Sequence, residues 1–185
     1  LALVGLTVAA MEAQTLKNRG VIRNTGTATY NSIENYKTGS GGTILNSGTL
    51  NSNTTFDNDD GATGQGTVRN FIGGSQAGTI RVTTNLMNEG GTWDNDSLNA
   101  FVGRVRVGGS LTSTGTFDTD SGSVEYFGAG AQSVFATTYG ALIASVGGTK
   151  TMSGTVVVRD TFRITSGATF TTNATGDSLV MLATN

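Results

Sequence analysis

The sequence predicts an all-β fold, a parallel β-solenoid of roughly seven or eight irregular coils, and three observations lead to this prediction. Short runs of alternating apolar and polar residues recur along the chain, glycine pairs separate them, and several segments resemble one another. We find no convincing helical spacing of apolar residues from Thr15 onward. The alternative architecture is an antiparallel β-sandwich, which is also glycine-rich and built from short strands.

The composition favours a folded chain with little surface charge. Of the 185 residues, 36% are hydrophobic and 13% are charged, with a formal net charge of −2, whereas disordered chains are usually highly charged and poor in apolar residues. Cys, His and Pro are absent, which excludes disulfides, thiol nucleophiles, imidazole bases and the common zinc sites. The 11 basic residues are spread along the chain, so we expect no nucleic-acid partner.

Residues 1–14 differ from the rest of the chain. The first ten, LALVGLTVAA, form an apolar run that ends in small residues, as in the central region of a secretory signal. The run is shorter than the roughly 20 apolar residues of a membrane span. We therefore expect a signal-peptide remnant, no stable membrane span, and a protein that is secreted, extracellular or at the cell surface. The alternative is an apolar N-terminal arm. Residues 15–185 are expected to form a single β-solenoid domain.

The alternating runs supply the predicted strands. In residues 79–83, Ile80 and Val82 fall on one face and Arg81 on the other, because side chains alternate along a strand. Residues 104–107 and 161–165 follow the same pattern. Thr, Val, Ile, Phe and Tyr favour strands, and the glycine pairs between the runs favour turns.

Four segments read alike, and they predict coils that stack. Each opens with a glycine and a short apolar strand, passes a Leu or Phe, and closes on an aromatic residue. One such coil cannot bury its own apolar face, so the next coil must cover it. The segments begin at Gly42, Gly78, Gly103 and Gly154, and their closing aromatic residues are Phe56, Trp93, Phe117 and Phe170.

The segment 123–170 is the most distinctive part of the chain. Its carrying pieces are Val124-Glu125-Tyr126-Phe127-Gly128, Ala131-Gln132-Ser133-Val134, Tyr139 with Leu142, Gly148-Thr149-Lys150-Thr151 and Ser166-Gly167-Ala168-Thr169-Phe170. This segment resembles the repeats of large secreted bacterial β-solenoid proteins of the filamentous-haemagglutinin or adhesin-like kind. The resemblance implies a solenoid with a structural or adhesive role at a bacterial surface.

A Thr-aromatic-Asp-x-Asp motif occurs three times and is the sharpest polar signal. Aspartates at alternate positions of a turn suit oxygen coordination of calcium, although no copy continues to the Glu of a full EF-hand loop. The alternative interpretation is that Asp and Asn only form turns after a buried aromatic residue. Apart from calcium, no cofactor is expected. The candidate ligands are Asp57, Asp59, Asp94, Asp96, Asp118 and Asp120.

The sequence does not predict an enzyme. Paired carboxylates hydrolyse glycosides when they face each other across a cleft, but nothing else marks a catalytic groove. Five arginines on predicted strands indicate either a basic stripe for acidic glycans or a solvated face that discourages sheet aggregation. They are Arg81, Arg104, Arg106, Arg159 and Arg163.

The open ends of a solenoid suggest a function. Leu179, Val180, Met181 and Leu182 form an apolar strand near one end, and contact between unlike ends yields fibres because it does not close on itself. We therefore expect an extracellular structural protein whose partner is itself, in a head-to-tail homopolymer that forms a surface filament or matrix. The alternative is a fragment of a surface adhesin that binds a cell-surface glycan or a host protein through a lateral face.

Overall fold

The computed structural model describes residues 14–35, 42–58, 66–72, 76–95, 102–165 and 167–182. Within these ranges all regular structure is β, with 22 strands and no helix, and parallel sheets stack as a β-solenoid. The predicted fold class is confirmed. Among the described residues, no helix is long and apolar enough to cross a membrane. The expectations for residues 1–13 lie outside the described ranges.

Each turn of the N-terminal part visits three sides, which we call A, B and C. Side A holds β1 (Thr15–Asn18), β4 (Ser32–Asn35), β7 (Phe56–Asp57), β12 (Leu86–Asn88) and β15 (Leu111–Ser113). Side B holds β2 (Val21–Asn24), β5 (Thr43–Asn46), β8 (Thr67–Arg69), β13 (Thr92–Asp94) and the first part of β16 (Thr116–Tyr126). Side C holds β3 (Thr27–Tyr30), β6 (Thr49–Ser52), β11 (Thr79–Val82), β14 (Arg104–Val107) and the second part of β16.

The C-terminal part continues the same circuit with longer strands. β18 (Thr138–Ala144) and β20 (Thr155–Ile164) each bend from side B to side C, and β22 (Ser178–Met181) stacks on the first part of β20. Side A is continued by a separate sheet of β17 (Gln132–Val134), β19 (Thr149–Met152) and β21 (Thr169–Thr172). The antiparallel pair β9 (Phe71–Ile72) and β10 (Gln76–Ala77) projects between sides B and C.

The number of turns differs slightly from the prediction. On side A the five-stranded sheet contains four pairs of neighbouring strands and the three-stranded sheet contains two, and the solenoid has about six turns. The register runs Leu16, Ile33, Phe56, Leu86, Leu111, so four returns take 95 residues (111 − 16), about 24 each. The predicted seven or eight coils are therefore slightly more than the structure has.

Strand alternation places the core inside the solenoid. In β5, β6 and β11 half-buried and fully buried residues alternate, and the buried ones are Ile, Leu or Val with small polar residues or Asn. Because the strands are in register, like residues stack: Leu50, Ile80, Val105, Val124 and Leu142 form one continuous column on side C. Each turn therefore covers the apolar face of its neighbour.

Aromatic rings form a second column through the core. The ring centroids of Phe56 and Trp93 lie 5.0 Å apart, those of Trp93 and Phe117 5.8 Å, and those of Phe117 and Phe135 6.1 Å. The column contains three of the four aromatic residues that the sequence singled out. The fourth, Phe170, instead packs against Phe162 at 4.8 Å.

The predicted equivalence of the four repeat segments is wrong. The segments at Gly42 and Gly154 lead into side B, whereas those at Gly78 and Gly103 lead into side C. All three sides share one local pattern, a corner followed by a strand with alternating burial. The pattern therefore recurs up to three times per turn, and sequence similarity alone does not distinguish one side from another.

Val146 occupies a strained corner position, with φ of 62° and 48% of its surface exposed. A β-branched residue in the left-handed region is unfavourable, and Asn tolerates that region better. We expect Val146→Asn to raise the free energy of unfolding by about 1 kcal/mol. Urea unfolding of the two chains tests this, and a lower midpoint for the variant would contradict it.

Candidate functional site

The three acidic motifs do not lie on one side of the solenoid. Asp57 ends β7 on side A, where its register partners are Glu34 and Met87. Asp94 and Asp118 are direct register partners on side B. The motifs look equivalent in sequence because each follows an inward-facing aromatic residue, but the first is displaced from the other two by one side of the turn.

Calcium binding stays a prediction. Among the described residues no group of three acidic side chains comes together. Asp59 and Asp96 lie outside the described ranges, and the side chain of Asp120 is likewise not described. The structure therefore places only Asp94 and Asp118 together, on adjacent strands.

The first feature that sequence reasoning missed is an asparagine ladder at the corner between sides A and B, here the AB ladder. The Nδ2 of each asparagine donates to the Oδ1 of the asparagine one turn further along, and the last one donates to the Oγ of Ser113. The donor–acceptor distances are 2.7–2.9 Å. The members are Asn18, Asn35, Asn58, Asn88 and Ser113.

A second ladder, the BC ladder, follows the corner between sides B and C. Its amides are also joined Nδ2 to Oδ1, over 2.7–2.8 Å, and each Nδ2 donates in addition to a backbone carbonyl. Asn46, Asn70 and Asn95 are completely buried. The members are Asn24, Asn46, Asn70 and Asn95.

Each ladder asparagine is followed by a glycine, at which the chain returns to the solenoid after the corner or loop. The gap is two residues from Asn46 to Gly48 and eight from Asn58 to Gly66, yet the Nδ2 bonds the glycine carbonyl at 3.2 Å in both cases. The corner is therefore closed in the same way whatever the length of the loop. An asparagine at the end of each strand with a glycine two to eight residues later is the sequence signal that could have found the ladders.

Side C carries an ion-pair cluster centred on Glu125. Glu125 is 5% exposed, and its carboxylate accepts hydrogen bonds from Arg104, from Arg106 Nε at 2.8 Å and from Ser145 Oγ at 2.6 Å. The guanidinium carbons of Arg106 and Arg81 lie 5.1 and 4.7 Å from the ring centroid of Phe127. These contacts fix three arginine side chains on β11 and β14.

The same contacts make Glu125 sensitive to acid. Burial disfavours its charged form, but hydrogen bonds from Arg106, Ser145 and Arg104 outweigh burial and lower its pKa from 4.5 to about 2. A carboxylate with a lowered pKa stabilises the fold above pH 4.5, and this contribution is lost as the pH falls from 4.5 towards 2. We expect the urea midpoint to fall more steeply over this window in the native chain than in Glu125→Gln. Parallel slopes would contradict this assignment.

A buried lysine and a buried pair of tyrosines lie where the N-terminal part of the solenoid meets the C-terminal part. Lys150 is fully buried, and its Nζ donates to the carbonyls of Gly128 and Gly147; burial lowers its pKa. The hydroxyls of Tyr126 and Tyr139 lie 3.1 Å apart, and burial raises the pKa of Tyr126 to about 12. Buried polar groups whose hydrogen bonds are made to neighbouring protein groups are typical of a structural role.

The predicted self-assembly residues lie at the C-terminal end of the described solenoid. β22 pairs with β20, and with no other strand of the described ranges. Val180, Met181 and Leu182 are 37–49% exposed, while Leu179 packs against the core. On side C, Ile164 at the end of β20 is 46% exposed. Leu179 to Leu182 therefore lie on side B of the last described turn and Ile164 on side C, and the role of these residues in self-assembly stays a prediction.

The N-terminal end of the described solenoid is also apolar. β1, β2 and β3 each pair on one edge only within the described ranges. Their inward-facing residues pack against the core on that side and are half-buried. These residues are Leu16, Ile22, Ala28 and Tyr30.

Comparison of the chain with protein-family models, curated proteins and solved structures finds no match. The resemblance of residues 123–170 to filamentous-haemagglutinin-like repeats therefore remains a prediction.

Proposed function

We propose that this chain is an extracellular structural protein whose solenoid units stack head to tail into a surface filament or matrix. The observation that carries the proposal is the pair of apolar ends. The C-terminal end exposes Ile164, Met181 and Leu182, and the edges of β21 and β22 there have no partner among the described residues. Backbone groups on such an edge are a template for another strand.

On sides A and B the N-terminal and C-terminal ends of the solenoid both present apolar residues. If β1 of a second copy stacks on β21, Leu16 meets Phe170; if β2 stacks on β22, Ile22 meets Leu179. All four residues pack against the core. Within the solenoid Leu179 stacks on Val156, and Phe170 stacks on the buried Lys150. Contact between unlike ends leaves a free end on each copy, so the assembly grows in one dimension.

The extracellular location rests on the apolar run at residues 1–10 and on the low charge of the chain. Long, rigid rods with few charged groups suit a structural role. No catalytic step is part of the proposal, because the buried polar groups described above are saturated by neighbouring groups in the manner of structural residues.

The test is the assembly state of three chains. The full chain is expected to form rods longer than one unit in electron micrographs and a concentration-dependent series in sedimentation. Ile164→Lys places a charge at the C-terminal end and is expected to leave short, single units. Val102→Lys is the matched control, because Val102 is similarly exposed, at 44%, but lies just before β14, the middle strand of side C.

The proposal fails if the full chain remains monomeric at high concentration. It also fails if Ile164→Lys assembles as well as Val102→Lys, since assembly would then not use this end. Circular dichroism on each variant confirms that the solenoid is folded before assembly is compared.

A further inference from the structure

Three arginines of side C lie close together on two neighbouring strands. Arg81 and Arg106 are direct register partners on β11 and β14, and Arg104 lies two residues before Arg106 on the same side of β14. Adjacent strands are about 4.8 Å apart, so the three guanidinium groups are held within two rungs of the solenoid.

The charges of the described residues are distributed unequally among the three sides. The strands of side A carry Lys17, Lys150, Glu34 and Asp57, a net charge of 2 − 2 = 0. Side B carries two arginines and two aspartates, Arg23, Arg69, Asp94 and Asp118, which cancel. Side C carries four arginines and one glutamate, Arg81, Arg104, Arg106, Arg163 and Glu125, a net charge of 4 − 1 = +3. A chain with a net charge of −2 therefore has one strongly positive side.

The carboxylate of Glu125 holds Arg104 and Arg106 in position, but its single negative charge does not neutralise the positive charges of side C. The Glu125 side chain is 6% exposed, whereas those of Arg104 and Arg106 are 46% and 31% exposed, so solvent meets the guanidinium groups. Glu125 takes one N–H of Arg104 and two of Arg106, of the five that each guanidinium possesses. The remaining donors are available to a ligand in fixed positions.

Stacking of two arginines in register is not a stabilising arrangement. Like charges directly opposite each other on neighbouring strands are destabilising. Arg81 and Arg106 are nevertheless held there, through Phe127 and, for Arg106, Glu125. Folding alone does not demand this arrangement, whereas planar donors at regular spacing suit carboxylate or sulfate groups, which guanidinium binds in bidentate geometry.

We propose that side C binds an acidic polysaccharide through Arg81, Arg104 and Arg106. An extended polymer with repeated anionic groups fits a flat surface on which charges repeat along the solenoid axis. The ligand groups displace water from the arginines and bridge adjacent rungs, while Glu125 keeps Arg104 and Arg106 from reorienting.

The test titrates the full chain with polygalacturonate, dextran sulfate and neutral dextran in low and moderate salt. Binding to at least one of the two acidic polymers, weakened by salt and absent with neutral dextran, is expected; the two acidic polymers distinguish carboxylate from sulfate. Arg81→Gln is expected to lower the affinity about tenfold. This variant leaves Glu125 and both of its arginine partners in place.

Arg23→Gln is the matched control, because Arg23 is an exposed arginine on a strand of side B. An equal loss in the two variants would overturn the proposal, as would the absence of binding to both acidic polymers. Duplex DNA that binds as tightly and loses as much with Arg81→Gln would overturn the assignment to a polysaccharide. Repeating the titration in the Ile164→Lys chain shows whether binding is independent of assembly.

Discussion

Replacing Asn58 by alanine is expected to lower the free energy of unfolding by about 4 kcal/mol. Asn58 is fully buried in the middle of the AB ladder. Its Oδ1 accepts from Asn35 at 2.8 Å, and its Nδ2 donates to Asn88 at 2.7 Å and to the carbonyl of Gly66 at 3.2 Å. Alanine removes these bonds and leaves buried donors and acceptors without partners, each of which costs about 1–3 kcal/mol.

Asn51→Ala is the control for this prediction. Asn51 is an outward-facing, half-buried asparagine of β6, and its amide donates one side-chain hydrogen bond, to Thr29 at 3.1 Å. Its replacement is expected to cost less than about 1 kcal/mol. Urea unfolding followed by circular dichroism gives both values. Similar losses in the two variants would show that the ladder adds nothing beyond an ordinary surface hydrogen bond.

Replacing Gly78 by alanine is expected to be similarly damaging, with a loss of more than about 3 kcal/mol in the free energy of unfolding or failure to fold. Gly78 closes the corner after Asn70, and its φ is not in the left-handed region. The reason for glycine here is space, because an added Cβ would overlap the backbone oxygen of Asn46 and the Oδ1 of Asn70. Relief requires the BC ladder to move.

Gly20→Ala is the control for Gly78→Ala. Gly20 stands at the corner between β1 and β2, and an added Cβ there meets nothing within 4 Å. The variant is expected to unfold within about 1 kcal/mol of the native chain. Soluble yield and urea midpoints compare the two. If Gly78→Ala were as stable as Gly20→Ala, the result would contradict the close approach of neighbouring turns at the Gly78 corner.

The strands could be predicted from the sequence because the alternation of apolar and polar residues is a local pattern. The order Ile80, Arg81, Val82 is enough to predict that the two apolar side chains are buried and that Arg81 faces outward, and the structure confirms this prediction. What alternation does not contain is the side of the turn on which a strand lies. Phe56 and Trp93 therefore looked equivalent, although one lies on side A and the other on side B.

The ladders were missed because an isolated asparagine before a glycine is typical of an ordinary turn. Asn46-Ser47-Gly48 has the composition of a surface corner, yet Asn46 is completely buried. Its burial depends on Asn24 and Asn70 in the neighbouring turns, which lie 22 and 24 residues away. Only the stacking register brings these residues together, and that register also places the arginines of side C over Glu125.

The solenoid consists of parallel strands stacked in one register, and a pair of engineered cysteines tests this arrangement directly. The native chain has no cysteine, and Thr27, Thr49 and Thr79 are successive outward-facing residues of one column on side C. Adjacent rungs bring the Cα atoms to about 4.8 Å, within the range that a disulfide spans, whereas two rungs do not. Under mild oxidation, Thr49→Cys with Thr79→Cys is expected to form an intramolecular disulfide, and Thr27→Cys with Thr79→Cys is expected to remain reduced. A disulfide in the second pair but not in the first would contradict the solenoid.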